Sequence, residues 1–470
     1  MSTTTRAKPA ATLHVAPERW IPALEARRAS SELVLLDADD RAVVAVFLEP
    51  DGGLTRLAVP RAEGAATVLA SPSAHGIREV ETAERRLGRS GQVRWDPPAP
   101  AAPSVRGKGV FTFPLGPVRA DVAESLGYNL AVMGDEILRL DLRPGFKFRG
   151  VADWSRGRRL EEAADVLERW TGTSTVAHAL AFALAVEDAL GLADEDPVGR
   201  SVVAELERVH SHLGDLAALA VSTGLPVPQM EYLHLREGIL RLNHDLVGHR
   251  YLRGVVRPRG LKLADPPDRS RLRAASATVR RVREEASRIA RDLSLTSSFL
   301  DRLVGAGRIP APDLEAVRPV GPVGRASGRA LDVRTQRPYA AYARWTVEPA
   351  RAATGDAEAR FRVKVAELER SLALLDALLA VWEPRGAPSP VAVDAADGAE
   401  GIGVVEAPRG LLATRVVLAG SPPVVRHVGV ATPSARNWPA VPPAMANHNI
   451  LQDFPIIDAS FALSAAGWDG

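Results

Sequence analysis

Apolar and polar positions divide the chain into three regimes. Between residues 13 and 70 short apolar and polar runs alternate. Residues 33–36 and 42–47 read as strands, with turns at residues 37–40, where Asp37, Asp39 and Asp40 sit, and at 51–53. This predicts a small α/β unit over residues 1–95. The Pro/Ala-rich segment after Trp95 predicts a stiff linker over residues 96–105. A second β-rich stretch follows over residues 110–148.

The period then lengthens to that of helices. Asp196-Pro197 has the form of an N-cap followed by Pro at the first helical position. Val202, Val203, Leu206, Val209, Leu213, Leu216 and Ala220 recur at helical spacing, and Gly224 is the stop. The same periodicity predicts helices over 229–250, 268–297 and 356–383; the last carries Phe361, Val365, Leu368, Leu372, Leu375, Leu379 and Trp382 on one stripe. Beyond Pro384 the runs are strand-like again, at 416–418 and 424–430. The fold class expected is α+β. A small N-terminal α/β domain precedes a larger domain, residues 106–470, with a central helical bundle and β-rich ends.

Composition narrows the chemistry. The 470 residues are 46% hydrophobic and 25% charged, ordinary globular usage that suits two to four domains. There is no cysteine, which excludes disulfides, thiolate nucleophiles and Cys-ligated metals or clusters in this chain. The net charge of +2 gives no bulk attraction to nucleic acid. The Arg-rich helix over 268–297 has no interleaved aromatics for base stacking and predicts a solvated face or subunit contact. No apolar h-region opens the chain, so no signal peptide is expected. No run reaches the roughly 18 apolar residues of a membrane span.

Walker A, G-x-G-x-x-G, H-E-x-x-H and G-x-S-x-G motifs are all missing from the sequence. His210 and His212, two apart on a helix, point about 200° apart and cannot share one ion; one packed and one surface imidazole are expected. Three Gly- and Pro-punctuated segments stand out between core elements. They are Arg149-Gly150, Arg325-Ala-Ser-Gly328 with Asp332, Arg334 and Pro338-Tyr339, and Glu406-Ala-Pro-Arg-Gly410. Arg beside Gly marks a guanidinium meeting backbone or carboxylate, and structural ion pairing is the plainer reading of it.

Read in order, these segments resemble the large subunit of membrane-bound, energy-converting [NiFe] hydrogenases of the formate hydrogenlyase type, and the 49-kDa subunit of respiratory complex I (NADH–quinone oxidoreductase). Phe113-Pro-Leu-Gly-Pro117 resembles that domain's opening, and Phe148-Arg-Gly150 its HRG motif. Glu168-Arg169, Gly172, Val176-Ala-His178, Ala181-Phe182 and Val186-Glu187 resemble the segment carrying the first metal-ligand pair. Glu205-Leu-Glu-Arg208 with Ser211-His-Leu213 resembles the following helix, with Arg236-Glu237 and Gly248-x-Arg250 in the expected order. Asp453-Phe-Pro-Ile-Ile457 with Ser460 resembles the approach to the C-terminal metal motif. Residues 1–95 are similar, more loosely, to a truncated 30-kDa complex I subunit, through Pro72-Ser-Ala-His75 and Arg78-Glu-Val80.

The resemblance implies two Cys-x-x-Cys pairs holding nickel and iron. This chain has Thr171 and Ser174 at the first pair and Ser464 and Gly467 at the second; hydroxyls and a hydrogen do not replace soft thiolates. The Glu of HRGxE is Ala152, beside Asp153, and the Asp before the second pair is Ala462. The tail that such hydrogenases lose on maturation is not found after Gly467. The complex I quinone partners, a hairpin His and a Tyr, fall on Arg119 or Ala123 and on Gly172; Tyr128 is nearby.

Arg149, Arg169, His178, Arg409 and the 325–339 loop persist. They form the candidate pocket, expected to be electropositive and to take an anionic or quinone-like ligand. The resemblance therefore implies a non-hydrogenase subunit of a complex-I-like or formate-hydrogenlyase-like electron-transfer complex. It would be peripheral on the cytoplasmic face of the membrane. A small iron–sulfur subunit carrying the cluster and antiporter-like membrane subunits would be its partners, with quinone as a possible cofactor and no direct NAD site. The alternatives are a quinone- or other acceptor-reducing subunit and a purely structural scaffold.

Overall fold

The computed structural model describes residues 10–61, 66–96, 105–118, 124–143 and 145–468. Most of the expected linker, and the hairpin positions Arg119 and Ala123, lie outside the described residues. The N-terminal stretch places β1 (Ala11–His14), α1 (Trp20–Arg28), β2 (Glu32–Ala38), β3 (Ala42–Leu48) and β4 (Leu54–Pro60) in one sheet of order β1-β4-β3-β2. The short β5 (Thr67–Leu69) and β6 (Val93–Trp95) pair parallel around α2 (Glu81–Arg89).

Both faces of β2, β3 and β4 are largely buried, while the edge strand β1 is exposed. Leu33, Leu36, Val43 and Phe47 form one core with Trp20 and Leu24 of α1 and Leu87 of α2. Val34, Leu35, Val44 and Val46 enter the main core of the molecule. A register shift between Leu33 and Leu35 lets the adjacent residues 34 and 35 serve the same side.

The turn expected at residues 37–40 is shorter than its spacing suggested. Asp37 closes β2, and both Asp37 and Asp39 are buried on Arg415, at 3.1 and 2.6 Å. His427 Nε2 lies 2.8 Å from Asp37, and Glu400 meets Arg415 at 2.8 Å. Further pairs, Arg436 with Glu32 and Arg78 with Asp313, fasten the N-terminal stretch along the same seam.

An antiparallel meander follows: β7 (Val110–Leu115), β8 (Gly127–Met133) and β9 (Glu136–Arg143). Then come α3 (Val151–Ser155), α4 (Leu160–Leu167), α5 (Thr175–Leu190), α6 (Pro197–Ser222) and α7 (Pro226–Val247). The two-residue strands β10 (Val256–Arg257) and β11 (Gly260–Leu261) lead into α8 (Arg269–Ser294). The short α9 (Ser297–Leu303), α10 (Ala311–Val317), α11 (Gly321–Ala326) and α12 (Val333–Gln336) precede α13 (Ala357–Val381). The helices expected from periodicity are α6, α7, α8 and α13, and they pack as the central bundle. Asp196, Asp268 and Asp356 cap three of them through backbone N–H groups three residues on.

The strands β12 (Ala395–Ala407), β13 (Gly410–Gly420) and β14 (Val424–Ala431) form the second large sheet, followed by α14 (Pro433–Asn437), α15 (Val441–Met445) and α16 (Phe454–Phe461). Helix α5 lies flat on β12. Small residues make this possible: a Cβ at Gly401 or Gly403 would sit 2.1 or 1.9 Å from the carbonyl oxygens of Ala185 and Ala181.

Helix α6 is buried without a break from Gly199 to Leu213, so the expected surface imidazole does not exist. His212 Nε2 is 3.1 Å from Glu367 on α13, and His210 is buried edge-on against Tyr251, 6.4 Å between ring centroids. On α8 the outer arginines pair with neighbours, Arg280 with Asp376 and Arg288 with Glu231. No helix among the described residues is long and apolar enough to cross a membrane.

Candidate functional site around Arg409

The site is built where three loops meet: residues 145–150, residues 168–174 between α4 and α5, and residues 462–467 after α16. Arg149 donates from Nη1 to the Arg169 carbonyl at 3.2 Å and from Nη2 to the Trp170 carbonyl. Trp170 stacks on His178 in the first turns of α5, centroids 5.7 Å apart and planes within 13°. The start of α5 is held from α6. The Glu207 carboxyl accepts from Val176 N at 2.6 Å and Ala177 N at 3.0 Å, two donors a helix N-terminus leaves without intrahelical partners. Burial pushes this carboxyl up to about 8, against those two hydrogen bonds.

Arg409 leaves the β12–β13 turn and joins the loops. Its Nε donates to the Ala462 carbonyl and its Nη1 to Thr173 Oγ1. Its Nη2 meets Asp215 of α6 at 3.0 Å, and Lys364 of α13 reaches the other oxygen of Asp215 at 3.3 Å. Lys364 also donates to the Ser460 carbonyl at 3.0 Å. Arg409 and Lys364 hold the buried Asp215 carboxyl below its ordinary range, against burial, which raises it. Asp215 and Lys364 were not singled out from the sequence, and Glu207 entered only within the Glu205–Arg208 match. Asp215 lies on the side of α6 opposite the apolar stripe, in line with Arg208, Ser211 and His212, where a polar residue reads as an ordinary outer position and gives no signal.

The expected pocket residues are distributed as follows. Arg149 and Arg169 are exposed, Arg409 is largely buried and His178 is buried. Burial, reinforced by the Arg149 charge, pushes His178 down to about 3, so its ring is neutral. Thr171 Oγ1 just before α5, and Thr175 Oγ1 and His178 Nε2 in its first turn, are each buried without a hydrogen-bond partner. The 325–339 loop is a separate assembly, described below. Tyr128 points elsewhere, bonding Asp458 at 3.0 Å and packing on Phe454. Asp153 is exposed beside Arg156.

Of the positions expected from the resemblance to match the family's metal pairs, the two after α16 are engaged otherwise. Ser464 Oγ donates to Glu124 at 2.9 Å, Ala465 N reaches the same carboxylate, and Lys147 meets it at 2.8 Å. A Cβ at Gly467 would sit 2.7 Å from Ser434 Cβ and 2.9 Å from Thr432 Oγ1. A nickel–iron centre needs soft thiolate donors, and two threonine or serine hydroxyls, a serine on a carboxylate and a glycine packed against α14 do not fit one. Among the described residues no group of three or more His, Asp or Glu side chains is placed to hold a metal ion.

A helical bundle flanked by two sheets, with a loop cluster at its end, defines the large-subunit class shared by complex I and energy-converting hydrogenases. The chain belongs to the 49-kDa family of that class. The family described as respiratory-chain NADH dehydrogenase, 49 Kd subunit, matches residues 223–391. A relative from Salinispora tropica, a D-type NADH-quinone oxidoreductase subunit, is 30% identical over 56% of this chain and 68% of its own length. The carbon monoxide-induced hydrogenase of Rhodospirillum rubrum is 27% identical over 74% of this chain and 96% of its own. Formate hydrogenlyase subunit 5 of Escherichia coli is 28% identical over 56% of this chain, and the match spans 46% of that protein. In fold, the chain is similar to a chain of the membrane-bound sulfane sulfur reductase, an archaeal respiratory membrane complex. The TM-score is 0.70 with 24% identity, covering 77% of this chain and 99% of that one.

Proposed function

We propose that this chain is a non-hydrogenase large subunit of a membrane-associated, complex-I-like or formate-hydrogenlyase-like electron-transfer complex, one from which the nickel–iron centre has been lost. The observation that carries this reading is the fate of the four ligand positions, Thr171, Ser174, Ser464 and Gly467. None supplies a thiolate, and Arg409 bridges the two loops that contain them through Thr173 and Ala462. A cation with three protein partners holds together what a metal would otherwise hold. The partners of this reading are a small iron–sulfur subunit, which would carry the cluster, and antiporter-like membrane subunits. Exposed apolar side chains along β7 and the 145–154 segment, Phe111, Phe113, Phe146, Phe148 and Trp154, support a subunit contact there.

A second reading, reduction of a quinone or another acceptor, is favoured by the unpartnered Thr171 Oγ1, Thr175 Oγ1 and His178 Nε2. Buried polar atoms of this kind are ordinarily hydrogen-bonded. A ligand carbonyl or anion beside them would meet that need, with Arg149 adding charge. Purification of the intact complex, metal analysis and an electron-acceptor screen test both readings. The expected result is less than stoichiometric nickel, and stoichiometric nickel overturns the first reading. The second fails if Arg149→Ala and Arg409→Ala leave acceptor binding and turnover unchanged.

A further inference from the structure

Behind the site, the 325–339 loop closes a fully buried ionic assembly. Arg325 of α11 meets Glu367 of α13 at 2.6 Å and Glu406 of β12 at 2.8 Å, with Asp332 at 3.6 Å. Arg334 of α12 meets Asp332 at 2.8 Å and Glu205 of α6 at 3.1 Å. Arg208 of α6 meets Glu205 at 3.3 Å and gives its Nη groups to the carbonyls of Glu406 and Ala407. Around these stand Tyr342, donating to Glu205 at 2.5 Å, Tyr339, accepting from the Glu406 N–H at 3.1 Å, and His212 on Glu367.

The charges do not balance. Three guanidinium groups face four carboxyl groups, all without solvent, and an isolated buried charge is far costlier than a neutralised one. His212 does not make up the difference. Its Nδ1 is buried with no acceptor, so a second ring proton would have nowhere to go. Arg409 and Lys364 are engaged with Asp215, one turn beyond His212 along α6.

We propose that this assembly is a proton-binding site and that Glu406 is its seat, a neutral carboxylic acid in the folded protein. The sharing of Arg325 singles it out. Glu205 has Arg208 and Arg334, and Asp332 has Arg334 bidentately with Arg325 nearby. Glu367 and Glu406 each have Arg325 and one neutral donor, Nε2 of His212 for Glu367 and the Val333 N–H at 3.0 Å for Glu406. Glu367 takes Arg325 Nε at 2.6 Å for itself, whereas Glu406 shares Nη1 with the Asp332 carboxylate, at 2.8 and 3.6 Å. Burial and the Asp332 charge raise its carboxyl, while Glu205, Glu367 and Asp332 are lowered by their cations. The ligand is a single proton, held three residues before Arg409 on the same turn. It is distinct from the pocket proposed above and does not depend on what that pocket binds.

The test is infrared spectroscopy of the full-length chain labelled with carboxyl-13C glutamate at neutral pH, with Glu406→Gln and Glu406→Met as two replacements of different shape. The expected result is a protonated-carboxyl band in the unaltered chain, shifted by deuterium exchange, and loss of one such component in each variant that folds. Glu207, pushed up to about 8, contributes to the same band, so the comparison is made in a Glu207→Gln background. Two results overturn the proposal: no protonated glutamate signal in that background, which needs no Glu406 variant, or an undiminished signal when a folded chain also carries a Glu406 replacement.

Discussion

His178 illustrates how burial alone sets a residue's chemistry. Its ring is pushed from 6.5 to about 3 by desolvation first and by Arg149 second. The native state therefore refuses a proton that the unfolded chain accepts. Its contribution to stability is complete above pH 6.5 and falls as pH drops toward 3, by up to about 1.4 kcal/mol per unit. Replacing His178 with Gln should reduce the acid dependence between those values by about one proton, read from urea midpoints across pH. An unchanged slope would mean the ring is charged in the fold. The sequence placed His178 in the right neighbourhood through the family resemblance. It was silent about Asp215 and Lys364, because their value lies in each other and in Arg409, 149 to 194 positions apart along the chain.

At the scale of elements, the long helices were legible wherever one face is apolar and one is wet. Helices α8 and α13 show the stripe, and aspartates mark the starts of α6, α8 and α13. Helix α5 was not legible as a helix, because it is buried nearly all round and its small apolar residues give no stripe. The two-His reading of α6 failed for the same reason: a stretch buried without a break has no outer face to offer. The turn at 464–467 makes a further prediction. The Gly467→Ala side chain would push into Ser434 and Thr432, whose hydroxyl donates to the Gly467 carbonyl at 2.9 Å. Overpacking of this sort costs about 1–3 kcal/mol, measurable by thermal denaturation. A Gly467→Cys chain should be impaired as much, with its thiol held against α14.

For the whole molecule, the joint between the N-terminal sheet and the β12–β14 sheet is electrostatic as well as apolar. The sequence read Asp37 and Asp39 as a turn because their partner Arg415 lies 376 to 378 positions away. Arg415→Met should leave two buried aspartates facing each other and cost about 3–5 kcal/mol, seen as a lowered denaturation midpoint. Restored stability in a chain that also carries Asp37→Asn and Asp39→Asn would locate the penalty in the stranded charges. Strands β2, β3 and β4 give one face to the main core, so the hold of the N-terminal sheet does not rest on chain connectivity through residues 97–104. A chain nicked between Asp96 and Val105 should still migrate as one particle on a sizing column at nanomolar dilution, its two pieces behaving as a permanent heterodimer.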